Sequence, residues 1–224
     1  MTALAIAPRT DRYGRAVPTL IQGGMGVAVS SWQLAREVSK AGQLGVVSGT
    51  ALDAVLARRL QDGDRGGHYR RALAAFPIPD VARKVLKDYF IEGGKAADAP
   101  YKPVPKPSLR QDPRLVRLAV VGNFAEVWLA KEGLAALGNG GAVGINCLEK
   151  VQMATPTALL GAMLADVDYV LMGAGIPREI PALLRALAVG EGGLGEVART
   201  VPAVVDVGQA VGFSQGAVAD LGDL

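Results

Sequence analysis

Short apolar runs that end in glycine, each followed by a stretch of helical periodicity, are what most restrict the fold of this chain. Residues 19–22 form such a run and end in Gly23, Gly24, Met25 and Gly26, which reads as a buried strand entering a glycine turn. A helix follows, with Ser30 or Ser31 as N-cap, Trp32, Ala35 and Val38 on one face, and Gly42 as its C-terminal stop. Residues 44–47 make a second strand closed by Ser48 and Gly49. Thr50 then caps a helix whose inward stripe is Leu52, Val55, Leu56 and Leu60, with Arg58 and Arg59 outward. Parallel strands need crossover connections, and these place helices on the sheet faces. The fold class is therefore α/β, with a parallel sheet covered by helices.

The alternation breaks over residues 62–113. Helical spacing predicts helices over 68–76 and 80–89, the second carrying Val81, Val85, Leu86 and Tyr89. Prolines 100, 103, 105, 107 and 113 favour an extended path after them. The stretch reads as a surface excursion between core units or as a solvated linker. Residues 115–121 fit strand or helix, whereas 124–132 are helical. A strand over 142–146, a helix over 156–165, a strand over 169–172 and a helix over 178–188 restore the pattern. Four strands are thus expected, and a fifth if 115–121 is extended.

Composition narrows the function. The net charge is +3 over 224 residues and only 5% are aromatic, which argues against a nucleic-acid surface built on cations and stacking rings. The longest apolar stretch, 154–175, is interrupted by Asp166 and Asp168, short of the roughly 20 residues a membrane span requires. The N-terminus lacks a basic n-region, so no secretory signal is read and a cytoplasmic protein is expected. One cysteine and one histidine exclude an internal disulfide framework and multi-His metal sites. No metal is expected.

In parallel α/β folds, ligands gather at the carboxyl ends of strands. Here those exits read Gly23 to Gly26, Ser48-Gly49-Thr50, Asn146 to Lys150, and Gly173 to Pro177. Glycine lets a flat ligand approach the backbone and leaves amide N–H groups free to donate. Tight strand-to-helix turns also need glycine, so recurrence at several exits carries the weight. The Asn146 amide suits the edge of a pyrimidine-like ring, or an ordinary Asx turn. A dinucleotide fingerprint is not met, because Val29 stands where the third glycine belongs, and a P-loop sequence is missing. Cys147 reads as a small buried hydrophobe and His68 as a surface or packing residue. Glu149 and Lys150 read as a solvated charge pair or as base and anion contact, and Arg70 and Arg71 as an exposed helix face.

At these exits the chain resembles the nitronate monooxygenase family, also called 2-nitropropane dioxygenase-like. The resemblance rests on PTLIQGGMGVAVSSWQLAREVSKAGQLGVVSGTALDAVLARRLQDGD, VGNFAEVWLAKEG, GAVGINCLEKVQ and GAMLADVDYVLMGAGIPREIP, in that order. It implies a flavin mononucleotide (FMN) enzyme on a (β/α)8 TIM barrel. By it, Gly24, Met25 and Gly26 lie against the flavin ring, Asn146 hydrogen-bonds the ring edge, and Gly49 and Thr50 line the same mouth. The implied reaction is oxidation of an alkyl nitronate by dioxygen, giving a carbonyl compound and nitrite. The family's catalytic histidine motif has no counterpart after Asn146, so the catalytic residues remain unknown.

A complete barrel of this class takes about 250 residues and commonly binds phosphate after strands 7 and 8. Residues 1–188 are therefore expected to form the N-terminal part of one barrel domain, truncated at about half, with 62–113 as its insertion. Residues 189–224 are an atypical tail, with eight glycines, no lysine and a charge of −4 against +7 for the rest. Two exposed sheet edges would invite a homo-oligomer or aggregation. Rival readings are a flavin-dependent enoyl reductase on the same barrel, and a non-catalytic flavin-binding fragment.

Overall fold

The computed structural model describes residues 17–107, 112–138 and 141–188. The tail assigned to 189–224 lies outside these residues. Three parallel strands, β1 (Leu44–Ser48), β2 (Ala142–Leu148) and β3 (Tyr169–Gly173), form one sheet in the order β1-β2-β3. Helices α1 (Trp32–Lys40), α2 (Leu52–Gln61), α3 (His68–Ala74), α4 (Pro79–Tyr89), α5 (Pro113–Lys131), α6 (Thr155–Leu164) and α7 (Ile180–Ala188) complete the described elements, with one 3-10 turn at Ala135–Leu137. The α/β class and the parallel sense of the sheet stand as read from the alternation.

Residues 19–22 depart from the buried strand expected there. They run parallel to β1 for two backbone hydrogen bonds only, Leu44 N–H to Leu20 O at 3.1 Å and Gln22 N–H to Leu44 O at 3.0 Å. The chain then turns away at Gly23, and one side chain and one backbone carbonyl continue the ladder. Gln22 Oε1 accepts from the Val46 N–H at 2.8 Å, and the Ser30 carbonyl accepts from the Ser48 N–H at 2.9 Å. Leu20 and Ile21 remain 67% and 59% exposed, because this segment is the outermost described strand on its side.

The stretch 115–121 is helical and merges with 124–132 into the 19-residue α5. Asp112 caps it, accepting from the Arg114 N–H at 2.8 Å, and Pro113 occupies the first turn, where its missing N–H costs nothing. This helix is buried on most of its circumference and packs against α1, α2, α3, α4 and α6. Its sequence therefore shows no polar stripe to reveal its period.

The helices of the excursion are part of the core, whereas residues 91–107, none of them buried, do run over the surface as expected. Tyr69, Ala72, Leu73 and Phe76 from α3 and its exit, with Ala82, Val85 and Tyr89 from α4, join the same core as β1, β2 and α5. Phe76 meets Phe124 of α5 edge to face at 5.0 Å between ring centroids. The proline-rich strap is tied down by the buried Gln61. Its Oε1 accepts from the Lys102 N–H at 2.6 Å, and its backbone carbonyl accepts from the Lys95 N–H at 2.8 Å.

Close approach of α1 to β1 depends on Gly45, where any Cβ would collide with the Ala35 carbonyl. The α1 N-terminus has no cap from Ser31. Glu126 of α5 supplies the acceptor instead, its Oε2 taking the Trp32 N–H at 2.8 Å while its Oε1 takes the Tyr69 hydroxyl at 2.7 Å. A carboxylate at this position also faces the positive end of the helix dipole. At α2 the N-cap is Ala51, in the left-handed region, and not Thr50.

Candidate functional site

The first exit loop is built by residues that the sequence reading treated as scaffold or cap. Gln22 Nε2 donates to Ser30 Oγ at 2.9 Å, and Ser30 Oγ donates to the Met25 carbonyl at 2.7 Å. Together with the Gln22 and Ser30 bonds to β1, these fold the glycine turn back over the end of the sheet. Only Ser30 gave a sequence signal, as a candidate N-cap.

Asn146 sits near the end of β2, directly across from Ser48 in the sheet register. Only 8% of it is exposed. Its Nδ2 donates to the Gly23 carbonyl at 3.0 Å and lies 3.1 Å from Met25 Sδ. The side chain thus spans to a segment more than a hundred residues earlier, which is not the local Asx turn. Gly49 N–H donates to the Asn146 carbonyl at 2.8 Å, extending the ladder by one bond past the strand. The Asn146 side chain thus touches the Gly23 to Met25 turn, whereas Gly49 meets Asn146 only through its backbone carbonyl, and a Cβ on Gly49 would face Cys147 and Ile145. Gly26 has φ +84 in the same turn, and Thr50 is half-buried between β1 and α2.

The approach at Gly24 demands glycine. Its φ is +62, and a Cβ there would overlap the Val46 side chain and lie 2.8 Å from Asn146 Cβ. Gly24→Ala is expected to destabilise the fold by about 2–4 kcal/mol, combining overpacking with a strained backbone. Urea denaturation measures it, and a loss under 0.5 kcal/mol would contradict the packing described. Three alanines near the exits, Ala28, Ala51 and Ala174, also hold positive φ, between 56 and 59. Such conformations cost energy and recur where structure is spent on binding.

Because the Gly23 carbonyl can only accept, it fixes which end of the Asn146 amide faces it. Oδ1 is left buried without a hydrogen-bond partner. A Cβ on Gly173, at the β3 exit, would stand 3.7 Å from this oxygen. An orphan acceptor beside two glycine-bearing exits suits a ligand that donates an N–H from a flat ring edge.

The other candidates resolve differently. Cys147 is buried, and burial pushes its thiol pKa up to about 12, so at neutral pH it is a protonated, inert hydrophobe. Native protein is therefore expected to leave Cys147 unmodified by a thiol reagent over minutes, with full modification after denaturation. Equal rates in the two states would contradict this burial. His68 packs on Trp32 at 5.0 Å between centroids, and its Nδ1 lies 3.3 Å from Arg71 Nη2. Arg70 and Arg71 are both exposed, as expected, and Arg71 binds both oxygens of Glu132, at 2.7 and 2.9 Å. Arg70 pairs with the buried Asp64 at 3.2 Å.

Glu149 and Lys150 are not a pair. The Glu149 carboxylate folds onto Gly175 of the β3 exit and accepts from Gln152 Nε2 at 3.3 Å, while Lys150 is exposed. Glu126, unremarkable in the sequence, is buried in the described core, as is Asp64. Burial raises the Glu126 pKa, opposed by the bonds from Tyr69 and Trp32 and by the Arg59 charge. Among the described residues, no group of three or more His, Cys, Asp or Glu could hold a metal ion, and no helix is long and apolar enough to cross a membrane.

The fold defines an α/β protein with a three-stranded parallel sheet covered by helices. Searches against protein-family models, curated proteins and solved structures find no match to this chain.

Proposed function

We propose that this chain is an FMN-binding oxidoreductase of the nitronate monooxygenase type, built on part of a (β/α)8 barrel. The observation that carries the reading is the contact of the Asn146 side chain with the Gly23 to Met25 turn, which leaves its Oδ1 an orphan acceptor beside Gly173. Parallel strands in sequential order, each followed by a helix, agree with an arc of such a barrel.

Asn146 would accept the imide N–H of the isoalloxazine ring, and the Gly24 to Gly26 turn would lie along the ring. Gly49 and Thr50 would line the adjoining wall. Bound FMN would supply the electron-accepting chemistry for an alkyl nitronate, with dioxygen as oxidant. The protein's own contribution is orientation, through an amide locked by the Gly23 carbonyl. No side chain is assigned as catalytic base.

The test is the visible spectrum of the purified protein followed by oxygen uptake with an alkyl nitronate. A yellow protein that consumes oxygen and releases nitrite is the expected result. NAD(P)H oxidation with an enoyl thioester and no nitronate turnover would instead assign the enoyl reductase reaction. A yellow, inert protein would reduce the reading to flavin binding, and a colourless protein that binds no added FMN would overturn it.

A further inference from the structure

We infer that Gln22 and Ser30 are positioning residues of the Asn146 site, acting together as a one-way hydrogen-bond relay that sets where the Met25 carbonyl points. The inference rests on the FMN reading of that site and adds the residues that shape its turn.

The relay begins on β1 and ends in the glycine turn. The Val46 N–H donates to Gln22 Oε1 at 2.8 Å, Gln22 Nε2 donates to Ser30 Oγ at 2.9 Å, and Ser30 Oγ donates to the Met25 carbonyl at 2.7 Å. Both ends have a fixed polarity. A backbone N–H can only donate, so the oxygen of the Gln22 amide must face Val46 and its nitrogen must face Ser30. The Ser30 hydroxyl takes that N–H and gives its own proton to the Met25 carbonyl, which can only accept. One arrangement of protons satisfies all three bonds. Ser30 is buried, so breaking one link leaves the next group short of a partner.

The turn depends on these bonds because its own backbone has little preference. Residues 23, 24 and 26 are glycine, with φ +62 at Gly24 and +84 at Gly26, and glycine enters several backbone regions at small cost. Its path is therefore set by what grips it. Ser30 is fixed to β1 by its backbone, its carbonyl accepting from the Ser48 N–H at 2.9 Å, and it holds the Met25 carbonyl by its side chain. Asn146 holds the same turn at the Gly23 carbonyl, 3.0 Å away, and lies 3.1 Å from Met25 Sδ. Gly24 lies between the two holds, since a Cβ on it would meet both Val46 and Asn146. A ring seated along this turn meets a surface fixed in advance, and that fixing saves the ordering cost of binding.

Titration of FMN fluorescence with the full chain, and the visible circular dichroism of the bound flavin, test this. Gln22→Glu keeps an oxygen for Val46, but its ionised carboxylate cannot donate to Ser30. The hydroxyl then turns to the carboxylate, and the Met25 carbonyl loses its donor. Ser30→Ala removes the same donor and leaves the Gln22 bond to Val46 in place. Each variant is expected to weaken FMN binding about tenfold and to change the visible spectrum of the bound flavin, with an unchanged far-UV spectrum. The double variant should bind no more weakly than the weaker single one, because both changes break one chain. Ser30→Ala carries the test alone if Gln22→Glu does not fold. Wild-type affinity in a folded variant, an unchanged flavin spectrum, or losses that multiply in the double variant would overturn the inference while the flavin site stands. Wild-type protein that binds no FMN overturns the site reading, and the inference with it.

Discussion

Glu126→Ala is expected to destabilise the protein by about 3–5 kcal/mol, a substantial part of the total for a domain of this size. The substitution removes two charge-assisted hydrogen bonds and leaves the Trp32 N–H and the Tyr69 hydroxyl buried without an acceptor, each costing about 1–3 kcal/mol. Part of that loss is offset, because burying an ionised carboxylate is itself unfavourable. Glu126→Gln keeps an acceptor for Trp32 and should cost less than the alanine. The pH dependence separates the two contributions. Burial raises the folded-state pKa of Glu126 above its unfolded value, so protonation favours the folded state. Stability from this group is greatest below the unfolded carboxyl pKa and declines as pH rises through the folded one. Glu126→Gln should flatten that decline. Thermal or urea denaturation across the window checks it, and an identical pH profile in the two proteins would contradict the assignment. The consequence reaches the site, since Trp32 opens the helix that leaves the glycine turn.

The second large effect is expected at Asn146. Replacing it with leucine keeps the side-chain volume close to constant but strips the Gly23 carbonyl of its donor, at about 1–3 kcal/mol. The same change deletes the orphan acceptor Oδ1. A ligand that donates to that oxygen should lose at least tenfold in affinity, because a buried donor without a partner is costly. Asn146→Asp is the sharper control. It retains an acceptor but sets a carboxylate oxygen against the Gly23 carbonyl, so it should destabilise the turn more than leucine does. Denaturation midpoints of the three proteins rank these effects, and equal midpoints would contradict the geometry.

The alternation of β1, α1 and α2, and of β2, α6, β3 and α7, was legible because each amphipathic element buries one face and leaves a matching period. The buried helix α5 was not. It packs on nearly every side, so Leu115 to Val121 carry no polar stripe, and local pattern leaves strand and helix equally open. The excursion helices could be placed by spacing, but not their burial, which depends on Phe76 and Tyr69 meeting α5 residues some fifty positions later. Residues 19–22 looked like a core strand because the run is apolar. What makes it an edge is Gln22, whose side chain replaces the backbone ladder at Val46, and no propensity records that substitution. Glu126 carries no distinguishing signal in the sequence and proves to be the cap of a helix ninety residues earlier. At the site, glycine at strand exits was visible, whereas the contact that unites them, from Asn146 to Gly23 and Met25, is a product of the tertiary fold.

The most direct measurement of the central claim is an equilibrium titration of FMN fluorescence with wild-type protein and with Asn146→Leu. Saturable quenching at one flavin per chain, weakened at least tenfold by the substitution, is the predicted result. Absence of saturable binding, or equal affinity in the two proteins, would contradict the claim that the strand exits form one site around Asn146.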